Sequence, residues 1–153
     1  MKKLLNNWFG TQEAAAHCDG PCGVYDPASA RIAGEAVVSM TKKMLALTPP
    51  EGNDAQAWAS YLNTMSRYTI IKEEQAHLAK EEVLVLWTDY FKPVHLEKYP
   101  NLHDLVWKTT KLLSSCKQEV NLDHANEMMD NLKEIHRIFW ETKGRDVTFY
   151  TAS

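Results

Sequence analysis

The sequence predicts an all-α protein, an antiparallel up-down four-helix bundle entered through an irregular N-terminal segment. Three observations carry that prediction. Apolar residues recur at helical spacing over four long stretches, capping residues with proline or glycine separate the stretches, and the connections are short. The 153 residues suffice for one domain with a real core, and 44% hydrophobic against 24% charged is ordinary for a soluble globular chain. No apolar run approaches the roughly 20 residues that span a bilayer, so no membrane partner is expected. The formal net charge is -3, with Lys and Arg scattered among acids, so no nucleic-acid partner is expected either.

Asp26-Pro27 reads as an N-cap followed by proline at the first helical position. Ile32, Ala36, Met40 and Met44 recur every four residues beside Val37 and Leu47, so the first helix runs to about Thr48, where Pro49-Pro50-Glu51-Gly52 stops it. Asn53 or Asp54 caps a second, long helix whose stripe is Trp58, Tyr61, Leu62, Met65, Tyr68, Ile71 and Leu78, continuing to Leu86 and Trp87. Val83 to Trp87 alone resembles a strand, but its helical flanks and the lack of a partner strand keep it in the helix, which Lys92-Pro93 closes. Val94 to Pro100 reads as a mixed polar and aromatic connector. Leu102, Leu105, Val106, Leu112 and Leu113 then form the apolar face of the third helix. Asn121 starts the fourth, with Ala125, Met128, Met129, Leu132, Ile135, Ile138, Phe139 and Trp140 as its stripe and Gly144 as its terminator. Methionine and aromatic side chains at this spacing read as core. Arg145 to Ser153 reads as an extension lying on a neighbour or a mobile end.

The chemistry concentrates elsewhere, in His17-Cys18-Asp19-Gly20-Pro21-Cys22-Gly23-Val24-Tyr25-Asp26-Pro27, where two thiols and an imidazole fall within six residues. Gly20-Pro21 cannot continue a helix, so the segment curls and brings Cys18 and Cys22 toward one point. A metal hook is one reading of that dithiol. A strained local disulfide or two unrelated thiols are the others, because C-x-x-x-C is less diagnostic than paired C-x-x-C motifs. Cys116, alone in a helical run, reads as a small buried hydrophobe. Glu74 and His77 form a single Glu-x-x-His; a di-iron bundle site needs a second copy, which the chain lacks, so they read as an i, i+3 surface pair. His95, His103, His124 and His136 have no metal spacing and read as surface or hydrogen-bonded histidines.

Met1 to Ala16 reads as a leader: Lys2 and Lys3 precede Leu4 and Leu5, and Ala14-Ala15-Ala16 are the small residues a processing protease accepts. Asn6, Asn7 and Glu13 spoil it as an export signal, so a cleaved pro-peptide is the expectation. Cutting between Ala16 and His17 frees an α-amine beside an imidazole and a thiol, a nitrogen ligand that an internal amide cannot supply. Two thiolates, an amine and an amide nitrogen form a strongly donating, nearly planar set that favours square-planar Ni(II) or Cu(II) over tetrahedral zinc.

The pattern H-C-D-x-P-C-G-V-Y over His17 to Tyr25 closely resembles the nickel hook of the nickel superoxide dismutases. The resemblance continues through Asp26-Pro27, Ala30-Arg31-Ile32, Val85-Leu86-Trp87-Thr88-Asp89-Tyr90-Phe91-Lys92-Pro93, Glu97-Lys98-Tyr99-Pro100 and Ile138-Phe139-Trp140-Glu141-Thr142-Lys143. It implies a pro-peptide over 1–16 and an enzyme domain over 17–153 with its hook at 17–25. It also implies one nickel ion per subunit, a homohexamer, and disproportionation of superoxide to dioxygen and hydrogen peroxide by Ni(III)/Ni(II) cycling. The implied metal ligands are His17 (α-amine, and imidazole when oxidised), Cys18 (amide nitrogen and thiolate) and Cys22 (thiolate). Tyr25 would guard the open face as the catalytic side chain, while Asp19, Pro21, Tyr90 and Lys92 shape and support the hook. The chain departs from some family members at Ala33 and Gln75, where those members carry a glutamate and an arginine that orient the axial imidazole; a backbone carbonyl or water is the expected substitute. Free thiols that bind nickel, behind a poor export signal, suit the cytoplasm. The rival reading is a non-catalytic thiolate metal-binding or metal-delivery bundle, which would work with the leader still attached.

Overall fold

Residues 22–152 are described by the structure, a computed structural model, and they form four long helices and one short one: α1 (Ala28–Ala46), α2 (Ala55–Val85), α3 (Pro93–Lys98), α4 (Leu102–Gln118) and α5 (Leu122–Thr142). No strand occurs among the described residues. Three of the long helices, α1, α2 and α5, begin where short polar side chains satisfy their free amides. Asp26 Oδ1 accepts from Ala28 N at 2.9 Å, Asp54 Oδ1 from Gln56 N and Ala57 N at 2.9 and 3.3 Å, and Asn121 Oδ1 from Asp123 N and His124 N at 2.9 and 3.2 Å. Gly144 ends α5 at φ +66°, the left-handed conformation that glycine adopts without steric cost.

The four long helices form the expected up-down bundle: α1 packs on α2 and α5, and α4 packs on the same two from the other side. The core between them includes Val37, Ala76, Ala79, Val83, Leu102, Leu113, Met128, Leu132, Ile135 and Phe139, all nearly or completely removed from solvent. Gly34 lets α1 approach α5 closely, since a Cβ there would lie 2.6 Å from Leu132 Cδ1 and 2.9 Å from Met129 Sδ.

The predicted stripe of α2 is misplaced, and that of α1 is right at Val37, Met40 and Met44 but not at Ile32. The face that α2 buries is Lys72, Ala76, Ala79 and Val83, whereas Trp58, Leu62, Ile71 and Leu78 are exposed. Length explains part of this. At about 1.5 Å per residue, the 31 residues of α2 outrun the 17 of α4 and the 21 of α5, so its N-terminal half, with Trp58 and Leu62, overhangs the bundle, while Ile71 and Leu78 sit on the solvent side of the half that is packed. On α1, Ile32 is likewise exposed, and the core face runs through Ala30, Ala33, Val37 and Thr41 to Met44.

Two local features are absent from the sequence reading. After Val85 the backbone widens into one π-helical turn, Leu86–Tyr90, closed by Phe91 N donating to Leu86 O at 2.9 Å. Pro93 then opens α3 instead of merely closing α2, so the supposed connector from Val94 is mostly helix; proline suits a first helical position, where its missing amide is not needed.

Lys72 is 1% exposed, and its ammonium donates to Cys116 O, to Lys117 O at 3.0 Å and to Glu119 O at 2.9 Å. A cation thus caps the C-terminus of α4, where the helix dipole favours it. Burial pushes the lysine pKa below its ordinary value. Cys116 is buried as expected, and burial pushes its thiol up to about 11.

The tail takes neither of the two expected courses. Arg145 to Ala152 lies on α1 and α5 of its own chain. His136 Nε2 donates to Val147 O at 2.8 Å, Arg31 Nη1 donates to Tyr150 O at 3.0 Å with its guanidinium 4.2 Å from the Tyr150 ring centroid, and Glu35 accepts from Ala152 N at 2.6 Å.

Candidate metal centre

Ala16, His17, Cys18, Asp19 and Pro21 lie outside the described residues, so the described part of the hook begins at Cys22. Cys22 is an exposed free thiol. Gly23 follows at φ +64°, a turn that strains any residue with a side chain, and the backbone stays irregular to Asp26. Among the described residues no three His, Cys, Asp or Glu side chains gather to hold a metal, which leaves Cys22 as the described donor of the set.

An aromatic ladder holds this segment against the bundle. The Tyr25 ring packs on Tyr90 at 5.6 Å and 50°, and Tyr90 packs on the fully buried Phe139 at 4.5 Å and 44°. The Tyr90 hydroxyl and Thr142 Oγ1 are hydrogen-bonded at 2.5 Å, and Thr142 Oγ1 donates to Phe139 O at 2.6 Å. The Tyr90 ring therefore packs against Tyr25 while its hydroxyl is engaged at the end of α5. Lys143 Nζ lies 5.0 Å from the centroid of the same ring.

Around this ladder opens a cleft of about 300 Å³ lined by Gly23, Tyr25, Asp89, Tyr90, Lys92 and His95. It brings together Tyr25, Tyr90 and Lys92, three of the sequence-predicted site residues, beside the residue that follows Cys22. His95, read as an unremarkable histidine, is the addition; its signal was its place two residues after Pro93, on the first turn of a helix hidden in the supposed connector. A larger cavity, about 740 Å³, lies between α5 and the tail among mixed charges. The smaller cleft, not the larger, is the one lined by sequence-predicted site residues. Ala33 is 1% exposed in the core and Gln75 is half-buried on α2. A buried methyl group at position 33 has no polar atom with which to orient an imidazole.

The profile of the family described as nickel-containing superoxide dismutase matches residues 12–143, which take in the entire hook. The chain belongs to that family. The superoxide dismutase [Ni] of Streptomyces coelicolor is 48% identical over 141 residues, covering 92% of this chain and 98% of that protein. The corresponding protein of Streptomyces seoulensis is 46% identical over the same length and shares of each chain. A crystal structure of Ni-containing superoxide dismutase, with ligation corresponding to the state after partial X-ray-induced reduction, superposes with a TM-score of 0.72 at 45% identity. It covers 84% of this chain and 100% of its own. The family match ends at Lys143, just ahead of the tail.

The other histidines of this family member are structural. His77 pairs with Glu81 at 3.1 Å and not with Glu74, His124 pairs with Glu119 at 2.9 Å, and His103 packs against Trp87 at 5.4 Å. No helix among the described residues is long and apolar enough to cross a membrane.

Proposed function

We infer that this chain is a nickel-dependent superoxide dismutase, converting two superoxide anions and two protons into dioxygen and hydrogen peroxide. One observation carries the reading: an exposed thiol, Cys22, stands at the end of a hook sequence and beside a small cleft lined by Tyr25, Tyr90 and Lys92, in a chain matched to this family across its hook. The residues fit nickel. Cys22 lies outside the core on irregular backbone, free to donate a thiolate, and His17 and Cys18 complete a set of two thiolates with amine, amide and imidazole nitrogens. Bound nickel supplies a one-electron couple that alternately accepts an electron from superoxide and returns one.

The protein's own side chains do the rest. Tyr25, fixed by Tyr90, narrows the cleft so that a diatomic anion enters and larger reductants do not. A chain of net charge -3 cannot draw an anion from afar, so attraction is local to the Lys92 ammonium and weakens with salt. The resemblance of the hook sequence to the family assigns Asp19 and Pro21 to shaping it. Residues 1–16 are a pro-peptide whose removal by a processing protease frees the His17 amine, giving an enzyme over 17–153 that assembles as a homohexamer in the cytoplasm. Neither a membrane nor a nucleic acid is a partner.

Dismutation by two nickel-loaded preparations, one starting at Met1 and one at His17, tests this. Turnover only in the His17 form is expected; nickel uptake without turnover in either would favour a metal carrier.

A further inference from the structure

His95 is the one lining residue of the cleft that falls outside every segment by which the sequence resembles the family. His95 sits on the first turn of α3, where Lys92 N donates to its Nδ1 at 3.1 Å while His95 N donates to Lys92 O at 2.8 Å. Because Nδ1 accepts, the ring proton of the neutral imidazole resides on Nε2. The ring is clamped in place, stacked on Tyr90 at 5.7 Å and 25° and set edge-on to Phe91 at 5.8 Å and 87°. Burial, and after it the neighbouring Lys92 charge, push the His95 pKa down, so the imidazole is neutral near pH 7. Nε2 has no hydrogen-bond partner among the described residues, and the ring lines the cleft beside Gly23 and Tyr25.

We propose that the Nε2–H of His95, together with the Lys92 ammonium, forms the dock at which a small anion is held in this cleft. The identity of that anion as superoxide rests on the dismutase reading; the dock does not. The two groups divide the task. Lys92 is exposed, and its flexible ammonium contributes charge without direction. His95 is immobilised by the Lys92 amide and two aromatic neighbours, so its N–H contributes direction. Tyr90 cannot serve, since its hydroxyl is bonded to Thr142, and Asp89, the carboxylate on the same wall, repels anions from its side and confines the dock to the Lys92–His95 edge.

Azide, a small linear anion, is the probe, titrated into the full chain without nickel and followed by nitrogen and proton NMR. The His95 ring is expected to show a protonated Nε2 and a bare Nδ1, and azide to shift the His95 and Lys92 signals. His95→Asn places an amide oxygen where Nδ1 was, retaining the Lys92 bond while removing the donor, and should weaken azide binding roughly tenfold, the range for a hydrogen bond to a charged group. His95→Gln gives up the Lys92 bond but carries a donor to the Nε2 position, and should bind azide within about threefold of wild type. In the nickel-loaded, His17-started enzyme, His95→Asn should raise KM for superoxide and leave kcat. A proton on Nδ1, or azide binding by His95→Asn equal to wild type, overturns the dock. A failure of the dismutase reading is distinguishable: turnover would be missing from nickel-loaded wild type while the azide titration still ran as described.

Discussion

Lys72→Met is the substitution whose outcome the structure constrains most tightly. Methionine keeps the buried stem and removes the ammonium, leaving three carbonyls at the end of α4 without their donor. Two effects compete. Replacing a buried charge by an apolar side chain is often neutral or stabilising by about 1–4 kcal/mol when its partner is removed too, because the desolvation cost disappears. Here the acceptors are backbone and remain. The Cys116 carbonyl sits over a residue 3% exposed and loses its partner outright, at about 1–3 kcal/mol, while Lys117 and Glu119 carry part-exposed carbonyls that water can reach at about 0.5 kcal/mol each. Relief of lysine desolvation offsets part of the sum. The net expectation is a loss of about 2 kcal/mol, or a fall in Tm of roughly 4–8 °C for a chain of this size. Urea unfolding followed by circular dichroism measures it. Lys72→Ala, which also gives up the stem, should cost about 2 kcal/mol more. If Lys72→Met melts at or above the wild-type temperature, the cap is not what justifies burying a lysine here, and the argument fails.

Cys22→Ser should abolish nickel binding and dismutation while leaving the metal-free melt within about 0.5 kcal/mol, since the thiol is exposed and outside every helix; nickel stoichiometry and a thermal scan check both halves. Tyr90→Phe should cost about 1 kcal/mol for the bond to Thr142 yet retain turnover, whereas Tyr90→Ala removes the rung between Tyr25 and Phe139 and should lose about 3–5 kcal/mol together with most activity. Hydrogen bonds from Tyr99 and then Arg137 hold the Glu141 pKa below the usual carboxylate value. Its contribution is therefore present above the ordinary carboxylate pKa and lost as pH falls through the lower folded value, so the stability gap between wild type and Glu141→Gln should close on acidification and stay constant near neutrality. Truncation after Gly144 should lower Tm by several degrees through loss of the Arg31, Glu35 and His136 contacts without unfolding the bundle.

The fold was legible where local chemistry decides it. Asp54, Asn121 and Gly144 announce helix ends because capping is settled within four residues of chain, and the stripes of α4 and α5 are correct because apolar and polar residues segregate most sharply on those two helices. The stripe of α2 misled for a physical reason: periodicity reports which residues share a face, not whether another helix is long enough to cover it. Lys72 was invisible because nothing nearby in sequence marks the carbonyls it reaches, 44 to 47 positions away. Pro93 was read for half of what it does, since the same missing amide that ends α2 qualifies it to begin α3.

The hook shows the same division in the site itself. Its donors are compressed into a few residues, which is why the sequence displays them, yet the thiol-bearing segment is located by partners far along the chain: Tyr25 rests on Tyr90, and Tyr90 on Phe139. The π-helical turn Leu86–Tyr90 ends on the residue that makes that contact. An α-helix continued unchanged would carry position 90 round by its ordinary 100° per residue; the wider turn, closed by Phe91 on Leu86, alters that rotation where α2 meets the hook, and α3 follows at once to bring Lys92 and His95 to the same cleft. A change that restored regular α-helix through Leu86–Tyr90 would therefore leave the hook sequence untouched and still disperse the cleft, so that nickel uptake and superoxide turnover would part company.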